Sequence, residues 1–572
     1  MNERSGADER VGVWTRRQWL RGVSLPAALV ATGSSALLSD RAEAQESGQQ
    51  DLGARVYNVR HFGAKGDGVT LDTTAVQTAI DRCTADGGGT VLVPAGKFVI
   101  GTVELKSNVT LHLVAGATLL GSAEGKHYHA VDAIPLKGDS TLGDGNWALL
   151  FAVGARNVTI EGQGTIDGQG AQFHSAVRGT PPPSGLGGNN RPYHLLAFRC
   201  ERLAVRGIAL VNCAYHSIRV IQSKQVHMDR LYIHNRVNGN NDGFHFISVE
   251  HLMVSNCTVL SQDDACALFG SCRFVTVTNS SFSTRWSVFR FGGGIAQDIA
   301  VSNCVLYQVF GCPIKFHGTP GSRFERMSFS NLVLDEVTGP IHISIGPESR
   351  RNTAESEEMK SSGAQPAVVR DISFSDIHGT VTTNPPQLPE ASVKSTAQPG
   401  ERWSCIGLNA VAGAVLEGIS FENVHLRFGG GGTADVGSRR DLPEIAGEYF
   451  MLGPMPAYGL YARNARALTL NNVRFEFDEA EARPAIILDN TEDVAMLGVS
   501  VQAGPATESA LRLRNTRDVL ITAPRLLAQT PVFVSVEGAK SSGITIDGGE
   551  LRKASKPFSI RDGADSSAIQ IR

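Results

Sequence analysis

Leu252-Met-Val-Ser-Asn256, Val275-Thr-Val-Thr-Asn279, Ile299-Ala-Val-Ser-Asn303 and Met327-Ser-Phe-Ser-Asn331 repeat one pattern: apolar, any, apolar, any, amide. Looser copies flank them, starting at Val158, Leu203 and Val226 before and at Ile372, Ile419, Leu468, Val494, Val519 and Ile544 after. From Leu203 to Met327 successive copies start 23, 26, 23, 24 and 28 residues apart. Alternation with period 2 marks a strand with one buried face. A steady period of about 25 residues built from such strands marks a parallel β-helix. Leucine-rich repeats would need regular leucines and often a helix per repeat, and neither is present. The fold class is all-β, a single-stranded parallel β-helix. Asn256, Asn279, Asn303 and Asn331 share one register, and stacked coils would set them about 4.8 Å apart. That spacing lets side-chain amides bond from coil to coil. Cys257 and Cys304 follow two of these asparagines and are expected at a small buried turn position.

The composition agrees. Of 572 residues, 42% are hydrophobic and 19% charged, with a formal net charge of −3. Disorder requires low hydrophobicity with high net charge. A nucleic-acid partner calls for a basic surplus, and 53 basic against 56 acidic residues is none. A solenoid grows by adding coils, so this length does not demand several domains. The nine cysteines are an odd number, with no CxxC and no zinc spacing. They are expected to be buried free thiols.

Residues 1–44 read as an export signal. Arg16-Arg17 precedes a mildly apolar stretch, Val23 to Leu38, and then Ala42-Glu43-Ala44, a small-x-small cleavage site. The twin-arginine route carries folded proteins, which suits free thiols, and places the product in the periplasm or medium. No segment reaches the roughly 18 apolar residues of a membrane span. Residues 45–572 form the β-helix domain, expected as a monomer. Asp72 to Ala85 has helical spacing, with Asp72 or Thr73 as N-cap and Gly87-Gly88-Gly89 as the stop. This helix would cap the open first coil. Residues 179–190, 346–367 and 380–402 lack the pattern and read as long surface loops.

The strand after each turn stacks as His216-Ser-Ile-Arg219, Asp242-Gly-Phe-His245, Asp264-Ala-Cys-Ala267, Ser287-Val-Phe-Arg290, Cys312-Pro-Ile-Lys315 and Gly339-Pro-Ile-His342. The third column is apolar, so the fourth column, Arg219, His245, Ala267, Arg290, Lys315 and His342, points outward. Asp242 and Asp264, with Asp263 just before, lie where turn meets strand. The stack thus sets a cationic and imidazole stripe beside three acids. Asp and Gly are also ordinary turn residues. Three carboxylates this close repel each other's charge, so one should hold its proton near neutral pH. That supplies an acid and a base for glycoside hydrolysis, and the cations suit an anionic polymer. No metal, nucleotide or haem motif is present, and no cofactor is expected. Gly292-Gly293-Gly294 lacks the helix and Lys of a phosphate loop.

At these residues the chain resembles glycoside hydrolase family 28, the polygalacturonases and their relatives, over most of residues 57–488. The opening Tyr57-Asn-Val-Arg-His-Phe-Gly-Ala-Lys-Gly-Asp-Gly68, the segment Gly162-Gln-Gly-Thr-Ile-Asp-Gly-Gln-Gly170 and the pair Arg191-Pro192 are similar to family motifs. Asn240-Asn241-Asp242-Gly243 resembles the Asn-Thr-Asp-Gly motif, and Gln262-Asp263-Asp264 the Gly-Asp-Asp motif. The resemblance implies a right-handed, pectin-lyase-like solenoid and hydrolysis of a pectic, uronate-containing polysaccharide with inversion. It implies Asp263 as general acid, with Asp242 and Asp264 activating water. The family's Gly-His-Gly histidine is absent near Trp286-Ser287. Its Arg-Ile-Lys motif becomes Pro313-Ile314-Lys315, so Arg290 and His317 are candidates to replace the lost polar groups. Inverting enzymes hold their carboxyls about 6.5–9.5 Å apart and retaining ones about 5 Å apart. Adjacent coils favour the short value, whereas the resemblance implies inversion.

Two other functions fit the same fold. A pectate-lyase-like eliminase would need a calcium site and an Arg or Lys base, for which Arg290 or Lys315 could serve. A non-catalytic carbohydrate-binding β-helix would expose aromatic platforms, and the chain has five Trp.

Overall fold

The computed structural model describes residues 55–134, 145–175, 180–347, 365–394, 397–411 and 413–572. The export signal read in residues 1–44 and most of the 346–367 loop lie outside the described residues. Among the described residues, every pairing between strands is parallel. One sheet of 15 strands runs from Val103–Glu104 to Ala554–Arg561. The other strands make two further faces. One follows the register Leu203, Val226, Leu252, Val275, Ile299, and the other Ala209, Tyr232, Thr258, Ser281, Val305. These two faces fuse where Ile295–Val309, Arg323–Val337, Val368–Val381 and Val415–Phe428 run unbroken through the asparagine turn. The coil is a right-handed parallel β-helix, the hand that parallel crossovers take.

The repeat positions fill the inside. Leu203, Val226, Leu252, Val275, Ile299, Met327, Ile372, Ile419 and Leu468 are all buried, each worth about 1.5–3 kcal/mol on burial. Phe329, Phe374 and Phe421 stack coil upon coil, with centroids 5.3 and 5.0 Å apart. At the turn, Asn331 donates to Asn303 Oδ1 at 2.8 Å and Asn303 donates to Asn279 Oδ1 at 3.3 Å. All three sit near φ +52 to +56°. Asn enters that left-handed region more readily than most residues, which explains its recurrence. Cys257 and Cys304 are buried beside it, and all nine cysteines are free and buried.

The capping helix spans Thr73–Ala85 and turns Val76, Ala79, Ile80 and Cys83 onto the first coils. Asp72 precedes it without capping it. Its carboxylate instead accepts the backbone N–H groups of Lys65 and Gly66 at 2.7 and 2.9 Å. The loop expected at 380–402 begins inside the Val368–Val381 strand, and its far end is buried. Glu401, 0% exposed, pairs with Arg285 at 3.1 Å.

An insertion the pattern had not marked, residues 429–456, folds back over the 15-stranded sheet. Ile445 O accepts from Asn409 Nδ2 at 2.8 Å, Gly447 N–H donates to Ser344 Oγ at 3.1 Å, and Phe450 packs edge-on to Trp286. Tyr449 lies on Gly339, where a Cβ would come within 2.7 Å of its ring. Gly339 also has φ +54°, so only glycine fits there without strain.

Candidate active site

The fourth column stacks as the sequence predicted: Arg219 pairs with His245, His245 with Ala267, Ala267 with Arg290, Arg290 with Lys315 and Lys315 with His342. The third column, Ile218, Phe244, Cys266, Phe289, Ile314 and Ile341, is fully buried. The column does point outward, but most of the stripe is not open to solvent. Arg219, His245, Lys315 and His342 are 0, 6, 1 and 3% exposed. They point away from the coil interior but lie beneath other groups. Arg219 donates to the Tyr193 hydroxyl at 3.3 Å. Lys315 lies over the Trp286 ring and beneath residues 429–456. Only Arg290 and His317 of the predicted binding residues keep partial exposure. Burial pulls the His342 pKa down to about 4, so this ring is neutral.

The three acids meet three different environments. Asp242, buried, accepts from His245 Nδ1 at 2.8 Å, with His216 Nε2 at 3.6 Å. Burial first holds both imidazoles well below their usual pKa, helped at His216 by His245 and then Arg219 and Arg191, and at His245 by Arg219 and Arg290. A neutral His245 facing a carboxylate carries its proton on Nδ1. Asp264 is clamped by Arg290 Nη1 at 3.0 Å and by the Ser287 N–H at 3.3 Å. Asp263 is half-buried. Its Oδ1 accepts the Asp264 N–H at 2.9 Å, and its Oδ2 meets Asn240 Nδ2 at 3.4 Å. Burial, then repulsion from Asp264, pushes the Asp263 pKa up to about 6. Environment thus separates the carboxyls: one clamped by a guanidinium, one bonded to a neutral imidazole, and one holding its proton toward neutrality.

The turns that present them are tied down by backbone bonds. Asn241 accepts the Val237 and Asn238 N–H groups and donates to Cys213 O and Tyr215 O. Asp263 N–H donates to Asn241 O, locking the next coil onto this turn. Arg191, lying over the Tyr215 ring, donates to Gly239 O at 2.8 Å and to Asn240 Oδ1 at 3.2 Å. It therefore aims the amide that reaches Asp263. A cavity of about 360 Å³ opens beside Asn240, walled by Phe173, His174, Pro182 and Arg191.

Two participants had not been expected. His216 stacks on His245 at 4.6 Å and 11°. Its place in the first column beside Asp242 was the available signal. Glu448, from the 429–456 insertion, bridges Lys315 at 2.7 Å and Arg290 at 3.4 Å. Burial opposes its charge, but the two cations outweigh that and hold its carboxyl far below the usual range. Likewise Asp264 and Glu448 outweigh burial and raise the Arg290 pKa. Among the described residues, His216, Asp242 and His245 are the one His/Cys/Asp/Glu group whose ligand atoms lie within 4.8 Å of one another. Their rings occupy parallel planes, so a single ion could not lie in the plane of both. The set is a hydrogen-bonded one built around Asp242.

A family model described as glycosyl hydrolases family 28 matches residues 83–425. An exo-poly-alpha-D-galacturonosidase from Dickeya chrysanthemi is 28% identical over 392 residues, covering 59% of this chain and 60% of that protein. A probable polygalacturonase from Vitis vinifera is 29% identical over 215 residues, covering 36% and 43%. The chain thus spans only 60% and 43% of the length of these two relatives. A solved family 28 exopolygalacturonase from Yersinia enterocolitica shares the fold, with TM-score 0.54 at 20% identity over 77% of this chain and 78% of that one. The family match takes in more than half of the residues and every coil from Asp242 to Lys315, and the chain belongs to glycosyl hydrolases family 28.

Proposed function

We propose that the protein hydrolyses glycosidic bonds of a pectin-type polysaccharide with inversion. Asp263 protonates the leaving oxygen, and Asp242 and Asp264 take the proton of the attacking water. The observation that carries this reading is the division of labour among the carboxyls. Asp263 holds its proton to about pH 6 while Asp264, its sequence neighbour, is locked by Arg290. A general acid must arrive protonated and a general base ionised. The neutral His245 donates to one Asp242 oxygen and so fixes the orientation of that carboxylate. The names of the relatives, a galacturonosidase and polygalacturonases, support the pectic substrate. β-Elimination is disfavoured by Arg290 and Lys315, which are engaged by carboxylates and so poorly placed to act as bases. Export by the twin-arginine route belongs to the same proposal and rests on Arg16, Arg17 and Ala42-Glu43-Ala44.

Incubation with a panel of pectic polymers tests the reading. Hydrolysis gives new reducing ends without absorbance from an unsaturated uronate, and proton NMR of the first product reports the inverted anomer. An unsaturated product would put elimination in its place, and a retained anomer would remove the roles given to Asp242 and Asp264.

A further inference from the structure

We infer that Glu448 sets the charge of the sugar this site accepts. Its carboxylate already occupies the Arg290–Lys315 pair, so the unit seated against Asp264 is an uncharged pyranose of a pectic chain. Such a unit is a methyl-esterified uronate or a neutral sugar. The inference rests on Asp263 and Asp264 being the hydrolytic centre.

Three observations carry it. First, the charges close on themselves. Arg290 spans Asp264 at 3.0 Å and Glu448 at 3.4 Å, and Lys315 meets Glu448 at 2.7 Å. The two cations, Arg290 and Lys315, are matched by two carboxylates, Asp264 and Glu448, so neither stands unpaired for a free uronate. Second, Glu448 is built in. Its side chain is 9% exposed and that of Lys315 1%. The neighbouring residues are pinned, with Gly447 N–H on Ser344 Oγ at 3.1 Å and the Tyr449 hydroxyl on Thr338 Oγ1 at 3.3 Å. An incoming carboxylate would have to expel a packed one and would meet its repulsion on the way. Third, Glu448 lies beyond the family-matched stretch, residues 83–425. The charge of this subsite is therefore set by the 429–456 insertion, from outside the matched coils.

The test compares kcat/KM on polygalacturonate and on the same polymer highly methyl-esterified, for the wild type and for Glu448→Gln. Opposite charges about 4 Å apart in a partly buried site interact strongly enough that the wild type should prefer the ester by at least about tenfold. Glu448→Gln frees Lys315 and should move that ratio toward the free acid by a similar factor. A third polymer, alternating uronate with a neutral sugar, separates the two sources of an uncharged unit. A wild type that demands free carboxylates overturns the inference, as does a ratio unmoved by Glu448→Gln. Should that variant not fold, the wild-type ratio decides alone. Cleavage of none of the three polymers overturns the hydrolase reading, and this inference with it.

Discussion

Asp263 is a carboxyl placed where its charge is unwelcome, and that has consequences for rate and stability together. Asp263→Asn keeps the shape and removes the transferable proton. Since general acid–base catalysis is worth about 10²–10⁴-fold, kcat should fall within that range. The wild-type rate should also decline as pH rises through about 6, where Asp263 loses its proton. Retention of more than about a tenth of kcat would remove the assignment. Stability moves the other way. Asp263 titrates near 3.8 when unfolded and about 6 when folded, so the native state binds the extra proton between those values. Its stabilising effect is complete below the lower value and is lost as pH rises through the upper one. Asp263→Asn cannot ionise, so relative to wild type its Tm should climb across pH 4–6 and level off above. The gain corresponds to roughly 2–3 kcal/mol at most. A Tm difference that is flat with pH would show that Asp263 is not strained by its surroundings.

The asparagine turns were legible as elements because one residue type satisfies two demands, a left-handed backbone and an amide ladder. Asn303 tests both. It accepts from Asn331 and donates to Asn279 at φ +56°. Asn303→Gly keeps the backbone and loses the bonds, at about 1 kcal/mol for such exposed pairs. Asn303→Val adds left-handed strain of roughly 1–2 kcal/mol. Thermal melts should rank wild type above Gly above Val, and equal melts for the two variants would mean the backbone angle costs nothing there. The 429–456 insertion was less legible. Ile419 and Leu468 start 49 residues apart, one coil's worth too many, and Gly429 to Gly432 form a run. Length and glycine reveal an insertion but not where it lands. Its landing depends on Glu448 meeting Lys315 across 133 residues, a contact with no periodicity to betray it. The same gap explains why the column register was readable from Arg219 to His342 while its burial was not. Alternation tells which way a side chain leaves the strand, and only the tertiary cover decides whether water is there.

Over the whole molecule, stability comes from stacking like on like, with no covalent staple among the nine cysteines. Their sulfurs replace apolar atoms inside the coil. Cys257 and Cys304 donate weakly to Ser255 O and Ser302 O, and Cys213 to His216 O. Burial raises the thiol pKa at all nine, to about 11 at Cys83, Cys272 and Cys304 and to about 12 at Cys213, Cys312 and Cys405. A thiol that neither ionises nor meets water does not oxidise, because the thiolate is the reactive form. This is how a chain with a proposed twin-arginine signal could enter an oxidising compartment already folded and stay reduced. The native protein should therefore show essentially no reaction with an aromatic disulfide reagent at pH 8. The same protein in denaturant without reductant should titrate all nine thiols, since every cysteine lies within residues 83–405. Tm should be unchanged by added reductant. Seven thiols or fewer in the denatured sample would reveal a disulfide, and rapid labelling of the native protein would show that the coils open more readily than their packing implies.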